Sequence, residues 1–195
     1  MAKFTPILLG SDINVYGMAR SFNEAYGIKV QAWAATQLAA TRYSKIVDVE
    51  VHPGFSEDPG FMEVMQEKIK EYQNHEEPVI LIACGDGYAE LLAKHKQELE
   101  GTFVVPYIDY QLLEKLISKE GFYEVCEEYG LPYPKTKIIK LADYQDGSYA
   151  DVPFAFPVAL KPEDPVSWLD VQFEGRKKAF VIKDLAEFKD IVGKI

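Results

Sequence analysis

Two lysines, Lys119 and Lys161, occupy positions from which a cation can hold phosphate oxygens. Ser118 can cap a helix, so Lys119 falls in the first turn, where the helix dipole disfavours a positive charge. Lys161 ends an apolar strand pattern at 156–161 and precedes a proline. A lysine placed there either extends into solvent or meets an anionic ligand. From these residues alone, a solvated surface charge is the simpler interpretation of each.

Two turns that follow predicted strands carry the other candidate residues. Asp12 and Asn14 lie between the first strand and the first helix, and their side chains suit a polar small substrate. Gly85 and Asp86 follow the most apolar run of the chain, and glycine lets a ligand approach the backbone. Ligands of doubly wound sheets bind at the carboxyl ends of the strands, where such turns lie. An ordinary strand-to-helix connection is the alternative interpretation of both turns.

The elements that must position these residues follow from hydrophobic periodicity. Amphipathic helices are predicted between short apolar strands at 6–10, 29–34, 46–51, 78–85 and 103–108. We expect the first helix to have Asn14 as its N-cap and to end at Gly27. The continuous run at 78–85 is typical of a parallel strand covered on both faces. Residues 1–117 are therefore predicted to form a Rossmann-like α/β domain with a parallel sheet.

The second half has a pattern typical of a smaller α+β domain over residues 118–195. Its first helix is expected to begin after Ser118 and to end at Gly130, because Pro132 and Pro134 prevent its continuation. Strands are predicted at 135–141, 156–161 and 177–183, with a polar loop at 142–153 and a final helix at 185–192.

The composition excludes several classes of protein. The formal net charge of −10 repels nucleic acid and anionic membranes, so neither is expected as a partner. No apolar run approaches the ~18 residues of a membrane span, and the N-terminus lacks a secretory signal. Cys84 and Cys126 lie in apolar segments and are expected as free thiols of a cytoplasmic protein. The three histidines have no ligand spacing, so no zinc site is predicted, and a homodimer is left open.

Residues 118–136 and 156–162 together resemble the opening of an ATP-grasp domain. They contain a lysine at the head of a helix, the exit G-L-P-Y-P-K-T at 130–136, and the strand F-P-V-A-L-K at 156–161. Residues 10–27 resemble the pre-ATP-grasp domain of the carboxylate–amine ligase branch, which is related to D-aspartate ligases and carbamoyl-phosphate synthase large chains.

The resemblance implies ATP, with Mg²⁺, as the cofactor of an enzyme that joins a small carboxylate to an amine through an acyl-phosphate. It makes Lys119 and Lys161 the two lysines that hold the ATP phosphates. It also implies that Asp12, Asn14 and the turn at 85–87, which includes Gly85 and Asp86, line the substrate side. Two point cations that converge on a triphosphate offset its charge and orient it.

Two departures from the family pattern qualify this expectation. The segment after Lys161, which is glycine-rich in the family, holds only Gly175, with Ser167 and Arg176 as candidate phosphate partners. The family's second subdomain, with its metal ligands, does not appear. We therefore expect an amino-terminal part of a longer ligase, without metal ligands and inactive by itself.

The residues also leave two alternative functions open beside the ligase. A non-catalytic, regulatory Rossmann-like module that binds a small metabolite needs no metal ligands, so the missing subdomain favours it. A Rossmann dehydrogenase domain is disfavoured because the G-x-G-x-x-G fingerprint is absent.

Overall fold

The computed structural model divides into two compact units, Met1–Leu113 and Glu114–Ile195. It describes residues 4–163, 168 and 171–194. The assignment of residues 1–117 and 118–195 to two functional domains stays a prediction.

The first unit contains a parallel sheet of four strands in the order β3-β2-β1-β4. The strands are β1 (Thr5–Leu9), β2 (Val30–Ala34), β3 (Val47–Val51) and β4 (Val79–Ala83). In the register, Ile7 of β1 lies opposite Gln31 of β2 and Leu81 of β4. Helices α1 (Ile13–Tyr26), α2 (Ala39–Arg42) and α3 (Gly60–Tyr72) connect the successive strands. The predicted Rossmann-like parallel sheet is therefore confirmed.

Both faces of this sheet are covered by apolar side chains. Leu8 packs with Val15 and Ala19 of α1 on one face. Ile7 and Leu9 belong to the larger cluster on the other face, which includes side chains of α3. A strand buried on both faces needs apolar residues at every position, which explains the uninterrupted apolar runs in the sequence.

The N-cap of the first helix lies two residues before Asn14, the residue predicted for that position. Asp12 is its N-cap, and its carboxylate accepts from the backbone N–H groups of Asn14 and Val15. Asn14 itself lies inside the helix, so the prediction of Asn14 as N-cap is wrong. A carboxylate at Asp12 reaches the first free N–H groups and also suits the positive end of the helix dipole. The helix ends at Gly27, with φ of 68°, as predicted.

The strand predicted at 103–108 is reduced to a single parallel bridge between Val104 and Ile80. Val104 exchanges backbone hydrogen bonds with Val79 and Leu81 of β4. Pro106 has no N–H to continue such a ladder, which explains why the strand stops. Before it, β4 leads into α4 (Asp86–Lys94) and α5 (Lys96–Leu99), and α6 (Tyr110–Ile117), which was not predicted, follows.

In the second unit, α7 (Lys119–Glu128) begins after Ser118, whose hydroxyl accepts from the backbone N–H of Gly121. The C-cap is Tyr129, and Gly130 follows with φ of 62°. Strands β5 (Val158–Leu160) and β6 (Phe180–Ile182) pair antiparallel, and α9 (Leu185–Val192) comes last. The smaller α+β part is therefore confirmed. Its core is built around Trp168, Phe180, Ile182 and Phe188.

Two predictions for the second unit are wrong. No strand forms at 135–141, and the region predicted as a polar loop holds α8 (Leu141–Asp146) and a 3₁₀ turn (Ser148–Ala150). The α8 helix forms because the Asp143 carboxylate accepts from the backbone N–H of Lys140, its N-cap. Gly147, with φ of 84°, then ends it.

Both cysteines are free thiols, as predicted. Among the described residues, no helix has the length and apolar character needed to cross a bilayer.

Candidate functional site

The carboxyl ends of β1 and β4 form the switch point of the sheet. From β1 the chain moves outward to β2 and β3, and then returns to β4 on the other side of β1. Helices α1 and α4 begin directly after these two strands. In doubly wound sheets the crevice at such a reversal of strand order is where ligands bind.

A depression of about 320 Å³ lies at this switch point. Three of the four residues predicted for the substrate side, Asn14, Gly85 and Asp86, line it. The other lining residues, which the sequence analysis did not assign to the site, are Met18, Ala83, Cys84 and Ala89. In the sequence, such small or apolar residues look the same whether they line a binding site or pack in a core.

Asp12, the fourth predicted residue, is engaged in local contacts. One carboxylate oxygen caps α1, and the other accepts from the side-chain amide of Asn14 at 3.0 Å. Asp12 therefore fixes the orientation of Asn14, which is exposed in the depression. The Asp12 carboxylate thus caps a helix, which matches the alternative interpretation of this turn as an ordinary strand-to-helix connection.

The start of α4 is chemically different from the start of α1. Gly85 is the N-cap of α4 and supplies no side-chain acceptor, so the first-turn N–H groups lack such a cap. Asp86 is the first helical residue, is exposed, and complements the positive end of the helix dipole. Beside it, burial and, to a smaller extent, the Asp12 carboxylate raise the pKa of the Cys84 thiol to about 11. The thiol is therefore neutral near pH 7.

The turn between β1 and α1 is held by a network around Ser11. The buried Ser11 hydroxyl donates to the carbonyl of Thr36 at 2.6 Å and accepts from the N–H of Leu38. The hydroxyl of Thr41 donates to the carbonyl of Ser11 at 2.7 Å. These bonds tie the turn after β1 to the connection after β2. The sequence analysis assigned no role to Ser11.

A second depression, of about 390 Å³, lies on the opposite edge of the sheet. Phe4, Thr5, Tyr26 and Lys29 are among its lining residues, and they stand at or near the amino ends of β1 and β2. Although it is larger, it lies away from the carboxyl ends of the strands, so we place the candidate site at the switch point.

Both predicted phosphate-binding lysines lie in the second unit. Lys119 is the first residue of α7, and Lys161 directly follows β5. The backbone N–H of Lys119 donates to the Glu163 carboxylate at 3.0 Å, and the Lys119 ammonium donates to the backbone carbonyl of Glu163. The first turn of α7 therefore contacts the segment two residues beyond Lys161. Lys161 itself is exposed.

Of the other two candidate phosphate partners, the structure describes only Arg176. The guanidinium of Arg176 donates to the backbone carbonyls of Trp168 and Val171, and so braces its own segment. Ser167 lies outside the described residues. Within the described ranges, no cluster of three or more carboxylate, histidine or cysteine side chains is placed to hold a metal ion.

Two solved structures share the fold of this chain. The fold matches an L-amino acid ligase from Bacillus licheniformis with a TM-score of 0.59 and 14% identity, over 100% of this chain and 43% of that one. It also matches N5-carboxyaminoimidazole ribonucleotide synthetase from Thermotoga maritima with a TM-score of 0.51 and 19% identity, over 97% of this chain and 43% of that one. The likeness to these two proteins is one of fold, and it agrees with the α/β architecture predicted from the sequence.

At the level of sequence, the chain is similar to D-aspartate ligase of Enterococcus faecium (strain Aus0004). The two are 60% identical over 195 residues, which is 99% of this chain and 46% of the relative. The chain thus spans about half the length of the curated relative that it matches. No family model matches the chain.

Proposed function

We propose that this chain is the amino-terminal, nucleotide-binding part of an ATP-dependent carboxylate–amine ligase. The observation that carries the proposal is the 60% identity to D-aspartate ligase over nearly the whole chain. By that likeness, residues 1–117 serve as the pre-ATP-grasp domain and residues 118–195 as the first ATP-grasp subdomain. D-aspartate is then the proposed carboxylate substrate, and the second substrate is an amine.

The proposed reaction proceeds through an acyl-phosphate. A carboxylate oxygen of the first substrate attacks the γ-phosphorus of ATP, and ADP leaves. The amine nitrogen then attacks the acyl carbon, phosphate leaves with the electron pair of the broken C–O bond, and the nitrogen loses a proton.

Lys119 and Lys161 are proposed to hold the ATP phosphates. Lys119 lies in the first turn of α7, where N–H groups and the helix dipole already favour an anion. Its ammonium contacts the backbone of the segment that follows Lys161, so both lysines belong to one neighbourhood of the second unit. No ion pair joins either lysine to a carboxylate among the described residues.

The switch-point depression is proposed to serve the substrate side. Asn14 offers an amide and Asp86 a carboxylate, while Gly85 exposes backbone N–H groups. Asp12 contributes by holding the Asn14 side chain. A small polar molecule with both charged and neutral groups suits such a surface. The cytoplasmic location, the homodimer and the relation to carbamoyl-phosphate synthase stay predictions.

Magnesium is the metal that ATP carries in such ligases, but the described part of this chain offers it no cluster of ligands. We therefore assign no resident metal site among the described residues. The roles proposed for Lys119 and Lys161 do not depend on one, because they rest on direct contact between ammonium groups and phosphate oxygens.

Calorimetric titration with Mg-ATP tests this function. We expect weak binding that Lys161→Ala reduces by about tenfold to a hundredfold, the effect of losing one charge-assisted hydrogen bond. Lys178→Ala is the matched control, since Lys178 is an exposed lysine of the same unit. Equal affinity in the two variants contradicts the proposal. Binding of an amino acid without any binding of ATP would instead support a metabolite-binding module.

A further inference from the structure

The Glu163 side chain stands against the first turn of α7. Its carboxylate accepts from the backbone N–H of Lys119 at 3.0 Å, while its own carbonyl receives the Lys119 ammonium. The Ser118 hydroxyl serves the N–H of Gly121, a different group of the same turn. Glu163 therefore takes an N–H that the N-cap residue does not use, across 44 residues of sequence.

The charges around this contact are unequal. Glu163 brings one negative charge to a neighbourhood that contains Lys119 and Lys161. The carboxylate is bound to the N–H of Lys119 rather than paired with its ammonium, for which no ion pair is found in the described part of the chain. No described carboxylate thus forms an ion pair with the Lys119 ammonium, while the N–H that would meet an anion is already taken.

The contact is also easily broken. Glu163 is exposed, and its hydrogen bonds to Lys119 are exposed as well. It lies outside the regular strand, three residues after the end of β5. Water can replace an exposed carboxylate–amide bond at small free-energy cost, so an incoming anion of higher charge displaces it readily.

We infer that Glu163 is an internal anion that occupies the phosphate position at the start of α7 while no nucleotide is bound. The inference rests on the proposed function, in which Lys119 and Lys161 hold the ATP phosphates. A phosphate that enters between these lysines meets the Glu163 carboxylate, and like charges at that distance repel. ATP therefore displaces the side chain from the Lys119 N–H, and Glu163 lowers the affinity of the site for nucleotide.

The substitution Glu163→Gln tests the inference because it removes the charge and keeps an oxygen that can accept from Lys119. We expect Mg-ATP to bind about two- to fivefold more tightly to this variant, the range expected for one exposed charge near a helix N-terminus. Glu174→Gln is the control, since Glu174 is an exposed carboxylate of the same unit. Affinity of Glu163→Gln that equals the control or falls below the parent chain overturns the inference.

A second measurement follows the displaced bond directly. In the parent chain we expect addition of Mg-ATP to shift the side-chain carboxylate ¹³C resonance of Glu163, because this carboxylate leaves the Lys119 N–H when a phosphate oxygen takes its place. An unchanged Glu163 carboxylate resonance at saturating nucleotide contradicts the displacement. If Lys161→Ala leaves ATP affinity intact, the proposed function has failed. If Lys161→Ala weakens binding but Glu163→Gln matches its control, only this inference has failed.

Discussion

Substitutions of Asp12 can separate its role as the N-cap of α1 from its predicted role in substrate binding. Its carboxylate accepts from the N–H of Asn14 at 3.0 Å and from that of Val15 at 3.2 Å, so Asp12→Ala leaves both groups to solvent. Loss of an N-cap costs about 0.5–2 kcal/mol, and partial exposure of Asp12 places the expected loss near about 1 kcal/mol. Asp12→Asn keeps a capping oxygen and loses only the charge–dipole contribution, about 0.3–0.5 kcal/mol.

The assay is urea unfolding of the full chain followed by tryptophan fluorescence. Trp33 is buried in the first unit and Trp168 lies in the second, so a Trp168→Phe background lets Trp33 report on the unit that contains Asp12. Asp48→Ala is the control, because Asp48 is an exposed aspartate whose partner is the exposed Lys29. If Asp12→Asn destabilises as much as Asp12→Ala, or if Asp12→Ala matches the control, the cap does not contribute as argued. When Asp12→Asn keeps stability, its effect on ligand binding isolates the predicted substrate role.

Two further predictions concern titratable groups of the first unit. The hydrogen bond from Lys94 holds the pKa of the Asp58 carboxyl below its ordinary value against the opposing effect of burial, and His95 adds to the lowering. A lowered folded-state pKa stabilises the protein above the unfolded pKa of about 3.9, and this contribution is lost as pH falls through the folded value. The urea midpoint of Asp58→Asn should thus lie below that of the parent at pH 6 and converge with it toward pH 3; parallel curves would contradict this. The raised pKa of Cys84, about 11, predicts that its alkylation by iodoacetamide is slow at pH 8 and accelerates toward pH 11; rapid modification at pH 8 would refute it.

The parallel sheet was predictable because the strands of the first unit are apolar runs (β1, β4) or alternate apolar and polar residues (β2, β3), and turn residues separate them. The run at 78–85 contains β4, and Gly27 ends α1 as its conformation requires. The prediction of a strand at 103–108 was wrong because apolar character alone does not reveal how many backbone hydrogen bonds a segment forms with the neighbouring strand. Only Val104 forms such a bridge, and Pro106 cannot extend it.

The second unit was harder to predict because local hydrogen bonds decide its elements. At the start of α8, the Lys140 N–H donates to the Asp143 carboxylate. A polar segment such as 140–146 gives no hydrophobic pattern from which this helix could be predicted. For the site, residues beside strand ends were found from chain position, since Asn14, Gly85 and Asp86 meet in one depression. The contact between Lys119 and Glu163 was not predicted, because 44 residues separate them and nothing in the sequence around either residue indicates which residue it contacts.

The Ser11 network has a consequence for how the switch-point surface can change. Three hydrogen bonds fasten the turn that precedes Asn14 to the connection after β2, and none of them uses Asn14 or Asp86. The Asn14 and Asp86 side chains can therefore be exchanged without breaking these bonds. Redesign of selectivity at this edge should begin with those two exposed positions and leave Ser11 and Thr41 untouched.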